Sequence, residues 1–147
     1  NNQKILSAIR MNEAISLHIR RGDYVSNARA NAAHGLCSLE YYQKAIRYMA
    51  QHTTSPHFFI FSDDLPWAAE NLKLPFPHTL VDINSADEGY FDMFLMSQCR
   101  HNIIANSSFS WWGAWLNQNP DKIVIAPQKW NNSGQSPAIL YKDWIKF

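Results

Sequence analysis

Short apolar runs alternate along this chain with longer segments whose apolar residues recur at helical spacing. Ala14–Ile19 is one such run, and Phe58–Phe61 is another with no polar residue at all, which is typical of a strand covered on both faces. Between them, apolar residues three or four positions apart predict a helix from Ser38, its cap, to about Gln51. Strands that alternate with helices are joined by crossovers. The alternation therefore predicts a parallel sheet.

The same alternation continues to the C-terminus. Further strands are predicted at Thr79–Asp82, Asn102–Ala105 and Lys122–Ala126, and further helices at Pro66–Leu72, Glu88–Cys99 and Phe109–Gln118. The tail from Ile139 to Phe147 is predicted to dock as a last helix or as an extended segment. We predict a three-layer, doubly wound α/β domain with a parallel sheet of about five strands.

Two of these helices are rich in large apolar residues. The helix over Glu88–Cys99 is apolar almost all round, which predicts deep burial. In the helix over Phe109–Gln118, the three tryptophans (Trp111, Trp112 and Trp115) are expected to pack in the core. Gly113 lies among them, and because glycine costs about 1 kcal/mol in a helix, we expect it to permit a close approach of the helix to the sheet.

Composition narrows the class of protein. The 147 residues suit one domain, and 46% are apolar, which argues against disorder. Thirteen Lys and Arg residues against twelve Asp and Glu residues leave a net charge of +1, which gives no reason to expect a nucleic acid or a membrane surface as partner. Two cysteines, Cys37 and Cys99, favour a reducing compartment. The polar N-terminus shows no signal peptide and is compatible with a piece cut from a longer protein.

Polar residues lie at the ends of three of the predicted strands. They are His18, Arg20, Arg21 and Asp23 at the end of the first strand, Asp63 and Asp64 at the end of the second, and Asn106, Ser107 and Ser108 at the end of the fourth. Ligands of an open parallel sheet bind outside the carboxyl ends of its strands. Arginine forks and helix N-termini both suit phosphate oxygens, and a carboxylate can accept hydrogen bonds from guanine or ribose. The three segments together predict a nucleoside diphosphate site.

Each segment also has a purely structural interpretation. Two adjacent arginines after a strand, such as Arg20 and Arg21, are usually a solvated pair or form ion pairs with neighbouring carboxylates. Asp63 and Asp64 suit a turn followed by a helix cap, and Ser107-Ser108 suits a plain N-cap. The histidines lack the spacing of metal ligands, so no metal is expected.

Two longer motifs resemble a known family. His18-Ile19-Arg20-Arg21-Gly22-Asp23-Tyr24 resembles the first signature of the α-1,2-fucosyltransferases, glycosyltransferase family 11. Asp92–Cys99 followed by Ile104–Leu116 resembles the second. The resemblance extends from about Ala14 to Trp130. Because family members are about twice this length, it implies that residues 1–147 form a single Rossmann-like, GDP-fucose-binding domain, the C-terminal half of a GT-B-like glycosyltransferase.

The resemblance also implies an activity and a set of roles. Such enzymes transfer L-fucose from GDP-fucose to the 2-hydroxyl of a galactoside, with inversion and without a metal or other cofactor. The catalytic residues it implies are Arg20, which meets the charge on the β-phosphate, and Asp23, which orients Arg20. The donor-binding residues it implies are His18, Arg20 and Arg21, Asp63 and Asp64 for guanine or ribose, and Asn106, Ser107 and Ser108 for the phosphates.

The implied partners are GDP-fucose, a galactose-containing oligosaccharide and the N-terminal half of the same enzyme, with no nucleic acid. The implied setting is bacterial glycan biosynthesis, either in the cytoplasm or at the inner face of the membrane. Two other classes stay open at this point. One is a non-catalytic GDP-sugar or carbohydrate-binding module, and the other is a structural or partner-binding domain whose polar strand ends are only caps. The general base for the acceptor hydroxyl is not assigned.

Overall fold

The computed structural model describes residues 1–22, 36–130 and 140–147, which build a parallel sheet between two layers of helices. The strands are β1 (Glu13–Ile19), β2 (Pro56–Ser62), β3 (His78–Leu80), β4 (His101–Ile103), β5 (Val124–Ala126) and β6 (Ile145–Lys146). The helices are α1 (Asn2–Met11), α2 (Leu39–His52), α3 (Leu65–Asn71), α4 (Gly89–Gln98) and α5 (Ser108–Trp115), and a 3₁₀ turn (Ala86–Glu88) precedes α4.

The strand order of the sheet is β3-β2-β1-β4-β5-β6, and every neighbouring pair is parallel. The order reverses between β1 and β4, which is the topological switch point where doubly wound sheets bind ligands. The register places Ile19 opposite Ser62, so the residues after β1 leave the sheet beside those after β2. The predicted Rossmann-like α/β fold is confirmed.

Alternate residues of the central strands face the two layers of helices. Ile15 and Leu17 of β1 belong to a buried cluster with residues of α2 and α3. Phe59 and Phe61 of β2 belong to a cluster on the opposite face, with residues of α1 and α4. Both faces of the sheet are therefore covered, as the apolar runs predict.

Two elements differ from the sequence-based prediction. Helix α1 was not predicted, although it buries Leu6 and Ile9 against the sheet. Its buried residues pack in one cluster with residues of β2 and α4, and such packing supplies most of the stability of helices in proteins. The short strand β6 makes the sheet one strand larger than expected, and the tail is extended where it pairs with β5.

The expectation of deep burial for the aromatic helices was wrong. In α4 only Leu95, Met96 and Ser97 are buried, whereas Tyr90 is 63% exposed. Trp112 and Trp115 of α5 are each 44% exposed. A helix in the outer layer presents one face to the sheet, so an all-round apolar composition does not decide how much of it is covered. No helix among the described residues is long and apolar enough to cross a membrane.

Gly113 allows α5 to approach α4 closely, rather than the sheet. A Cβ atom added at Gly113 would lie 2.6 Å from Cε and 3.2 Å from Cβ of Met96. Gly89, at the start of α4, is different, because a Cβ atom there would lie 3.4 Å from the ring of Phe109. The helix pair α4 and α5 therefore depends on the missing side chain at position 113.

We expect Gly113→Ala to lower the free energy of unfolding by about 1–2 kcal/mol. Overpacking against Met96 typically costs about 1–3 kcal/mol, and the better helix propensity of alanine recovers up to about 1 kcal/mol of this. Urea unfolding measures the change. Gly89→Ala is the matched control and is expected to be neutral or stabilising. Equal effects of the two substitutions would contradict the assigned packing role.

Candidate functional site

A cleft of about 390 Å³ opens at the carboxyl ends of β1 and β2. Its walls include His18 and Arg20 from the end of β1, Asp63 from the end of β2, and Asn84 and Asp92 from the far side. A larger groove of about 530 Å³ lies along α4 and the end of α5. That groove contains none of the site residues predicted from sequence, so the smaller cleft is the candidate site.

His18 is a buried side chain with an unused hydrogen-bonding atom. It is 5% exposed, and among the described residues no polar group pairs with its Nδ1 atom. Burial lowers the pKa of His18 to about 4, and Asp63 and Arg20 have smaller, opposing effects. The imidazole is therefore neutral at pH 7. An unpaired buried nitrogen is costly, and the residue that carries it lines the cleft.

Asp63 holds the segment that carries the two arginines. Its Oδ1 accepts a hydrogen bond from the backbone N–H of Arg21 at 2.8 Å, and its Oδ2 accepts one from the N–H of Gly22 at 3.0 Å. The Nε atom of Arg20 lies 3.5 Å from the same Oδ2. A Cβ atom at position 22 would lie 3.0 Å from Oδ2, so glycine lets the backbone approach the carboxylate.

Arg21 turns away from the cleft toward α3. Its guanidinium carbon lies 3.9 Å from the centre of the Trp67 ring, and its Nε lies 3.7 Å from Oδ2 of Asp64. Asp64 also caps α3, because its side chain accepts from the N–H of Trp67 at 3.2 Å. The ion pair and the helix cap of the structural interpretation are therefore both present. The donor-binding roles of Arg21, Asp63 and Asp64 stay predictions.

The segment before α5 contributes less to the cleft than expected. Asn106 is buried, and its amide donates to the backbone oxygen of Trp130 at 3.1 Å. Ser107 precedes α5 without a capping hydrogen bond from its side chain, and Ser108 is exposed. Phe109, in the first turn of α5, lines the cleft, whereas Asn106, Ser107 and Ser108 do not. Their phosphate-binding role stays a prediction, and Asp23 lies outside the described residues.

Sequence analysis missed Asn84 and Asp92 as residues of the site. The amide of Asn84 donates to Oδ1 of Asp92 at 2.7 Å and exchanges hydrogen bonds of 3.0 Å with Asn2. Burial raises the pKa of Asp92, and the hydrogen bond from Asn84 opposes that rise. The position of Asn84 just after the third predicted strand could have indicated its role, because ligands bind outside the carboxyl ends of such strands.

Within residues 1–22, 36–130 and 140–147, no three His, Cys, Asp or Glu side chains are grouped so that they could hold a metal ion. The expectation that no metal takes part stays a prediction.

The comparisons with known proteins show the family of this chain. The model of glycosyl transferase family 11 matches residues 2–147. The chain belongs to this family, as its motifs indicated.

Relatives with matching sequences are named as glycosyl-, colitosyl- and fucosyltransferases. The chain is 44% identical over 88% of its length to the O-antigen biosynthesis glycosyltransferase WbnK of Escherichia coli. It is 42% identical over 87% of its length to an alpha-1,2-colitosyltransferase of Escherichia coli, and 31% identical over 78% to the galactoside 2-alpha-L-fucosyltransferase SEC1 of Bos taurus. It spans 43%, 44% and 33% of these three proteins, which is less than half of each.

The burial of His18 predicts a loss of stability in mild acid. Its pKa of about 4 in the folded protein lies below the usual 6.5, so the unfolded chain takes up the proton first as the pH falls from about 6.5 toward 4. Between pH 7 and pH 4.5 this one group should lower the free energy of unfolding by about 2–3 kcal/mol. Urea unfolding of the unmodified chain and of His18→Gln, at both pH values, isolates its share. An identical pH dependence of the two proteins would refute the assignment.

Proposed function

We propose that this protein transfers L-fucose from GDP-fucose to the 2-hydroxyl of a galactoside, with inversion and without a metal ion. The observation that carries the proposal is the cleft at the carboxyl ends of β1 and β2, which is lined by Arg20 and by His18, a buried side chain with an unpaired Nδ1 atom. Membership of glycosyltransferase family 11 supports a sugar nucleotide as the occupant of that cleft. The relative SEC1, a galactoside 2-alpha-L-fucosyltransferase, supports the sugar and the linkage.

Arg20 is the residue proposed to meet the charge of the leaving group. When the bond between fucose and the β-phosphate breaks, negative charge grows on the phosphate oxygens, and a fixed cation stabilises it most at that moment. Arg20 lines the cleft, whereas Arg21 stacks on Trp67. His18 stays neutral beside it, so it offers a hydrogen bond to the nucleotide without adding a second charge.

Asp92 is the carboxylate proposed to recognise guanine. It lines the cleft, and the hydrogen bond from Asn84 holds its Oδ1 in place. Guanine presents adjacent N1–H and N2–H donors, which one carboxylate can accept together, whereas uracil has a single N–H. Asp63, the other carboxylate of the cleft, already accepts two backbone N–H groups. The family resemblance implies that Asp63 and Asp64 contact guanine or ribose, and this proposal gives the guanine contact to Asp92.

The acceptor site is proposed to need more protein than this chain. The chain spans less than half of the relatives that it matches, so we propose that an N-terminal half supplies the acceptor pocket and the general base. Asp23, which the family resemblance assigns to orient Arg20, keeps that proposed role.

Colitosyl transfer is a second candidate. The observation that favours it is the 42% identity to an alpha-1,2-colitosyltransferase. L-Fucose and colitose differ only by the hydroxyl at C3, so the same diphosphate and base contacts serve both donors. Comparing kcat/KM for the two GDP-sugars in the native-length protein decides between them, because a site that hydrogen-bonds the C3 hydroxyl rejects a donor lacking it.

Calorimetric titration of the chain with GDP and UDP in excess EDTA tests the proposed site. We expect GDP to bind at least tenfold more tightly, since a hydrogen bond to a charged group is worth about 1.5–3 kcal/mol. Asp92→Asn should remove most of that preference, and Asp121→Asn, a surface carboxylate distant from the cleft, should not. Equal binding of GDP and UDP, or binding that requires added Mg²⁺ or Mn²⁺, would refute the proposed recognition.

Substitutions of the two arginines test the proposed catalytic role. In the native-length protein, Arg20→Lys and Arg20→Ala should each lower kcat by about 10²–10³ while the protein stays folded, because an ammonium group cannot reproduce a bidentate fork. Arg21→Lys should keep more activity, since its guanidinium packs on Trp67. Turnover and melting temperature are measured on the same preparations. A folded, fully active Arg20→Lys protein would overturn the assigned role.

A further inference from the structure

Asp63 directs its carboxylate toward the segment that follows β1. Its two oxygens accept the N–H groups of Arg21 and Gly22 at 2.8 and 3.0 Å. We propose that Asp63 is a positioning residue that holds Arg20 ready for the diphosphate, and that it does not recognise the nucleobase. This inference rests on the proposed function only in that the ligand of the cleft is a nucleoside diphosphate.

The end of the strand ladder explains why a carboxylate is needed at this point. The pairing of β1 with β2 ends at Ile19 and Ser62, so the backbone N–H groups beyond Ile19 have no partner in the ladder. Backbone donors without a partner in a ladder bond to side chains or to water. Asp63, the next residue after β2, satisfies two of them with one side chain and thereby determines the path of the backbone through Arg21 and Gly22.

The same carboxylate also reaches the side chain of Arg20. Its Oδ2 lies 3.5 Å from Nε of Arg20. Holding both the backbone and the base of a long side chain before the ligand arrives reduces the conformational entropy lost on binding. It also places the cation where the leaving-group charge develops.

Gly22 provides independent support for this role. A Cβ atom at position 22 would lie 3.0 Å from Oδ2 and 3.3 Å from Cγ of Asp63. The absent side chain therefore allows the carboxylate to reach both N–H groups. This contact involves no ligand, whereas a carboxylate that reads guanine would have to turn toward the nucleobase.

Binding of three ligands to Asp63→Asn distinguishes positioning from base recognition. The ligands are GDP, guanosine and inorganic pyrophosphate, titrated by NMR or calorimetry. The positioning role predicts that GDP and pyrophosphate bind at least tenfold more weakly, while guanosine changes by less than about twofold. Asp92→Asn should show the opposite pattern, and Asp121→Asn should change none of the three. Weaker guanosine binding with unchanged pyrophosphate binding would overturn the inference.

A second measurement separates this inference from the proposed function. Hydrogen exchange of the Arg21 and Gly22 amides should become at least tenfold faster in Asp63→Asn, because each loses its charged acceptor. Gly22→Ala disturbs the same contact while keeping the carboxylate, and should also weaken pyrophosphate binding. If the unmodified chain binds no GDP, the proposed function fails and amide exchange still reports on the contact. Unchanged exchange in both variants would overturn the positioning role itself.

Discussion

The structure depends on the burial of β1 between two parallel neighbours. β1 pairs with β2 over seven residue pairs and with β4 on its other side, and the side chains from Ala14 to Ile19 are all buried. Its buried side chains are apolar except for Ser16 and His18, and its backbone groups bond to the two neighbouring strands. Where the ladders end, the backbone must find other partners and charged residues become possible. The candidate site begins at that point.

The four charged residues at this edge have different surroundings although the sequence presents them as two similar pairs. Arg20 lines the cleft, while Arg21 stacks on Trp67. Asp63 accepts backbone N–H groups from the end of β1, while Asp64 caps the next helix. Arg20 and Asp63 therefore line the cleft, and Arg21 and Asp64 do not. The local charge of the site therefore results from how backbone donors are satisfied around it.

Strands were predictable because burial on both faces leaves a continuous apolar run, as at Phe58–Phe61. Helix α1 and the exposure of Tyr90 and Trp112 were not predictable in the same way. Helix α1 buries Leu6 and Ile9 in one cluster with Phe59, a contact between residues that are distant in the chain. Aromatic residues in α4 and α5 resemble core residues in composition, yet which face of a helix is covered depends on its neighbours in the layer.

The sequence by itself determined the parallel α/β class, the family and the position of Arg20 after a buried strand, because hydrophobic period and local motifs encode these. Only the tertiary structure decided which side chains share one cleft and which titrate abnormally. Asp63 is 42 residues from Arg21 in the chain, and they meet because β1 and β2 are neighbours in register. Asn84 and Asp92, which follow β3 in the chain, line the same cleft as Asp63. Burial lowers the pKa of His18. Strand order and burial are properties of the packed sheet and have no local signal in the sequence.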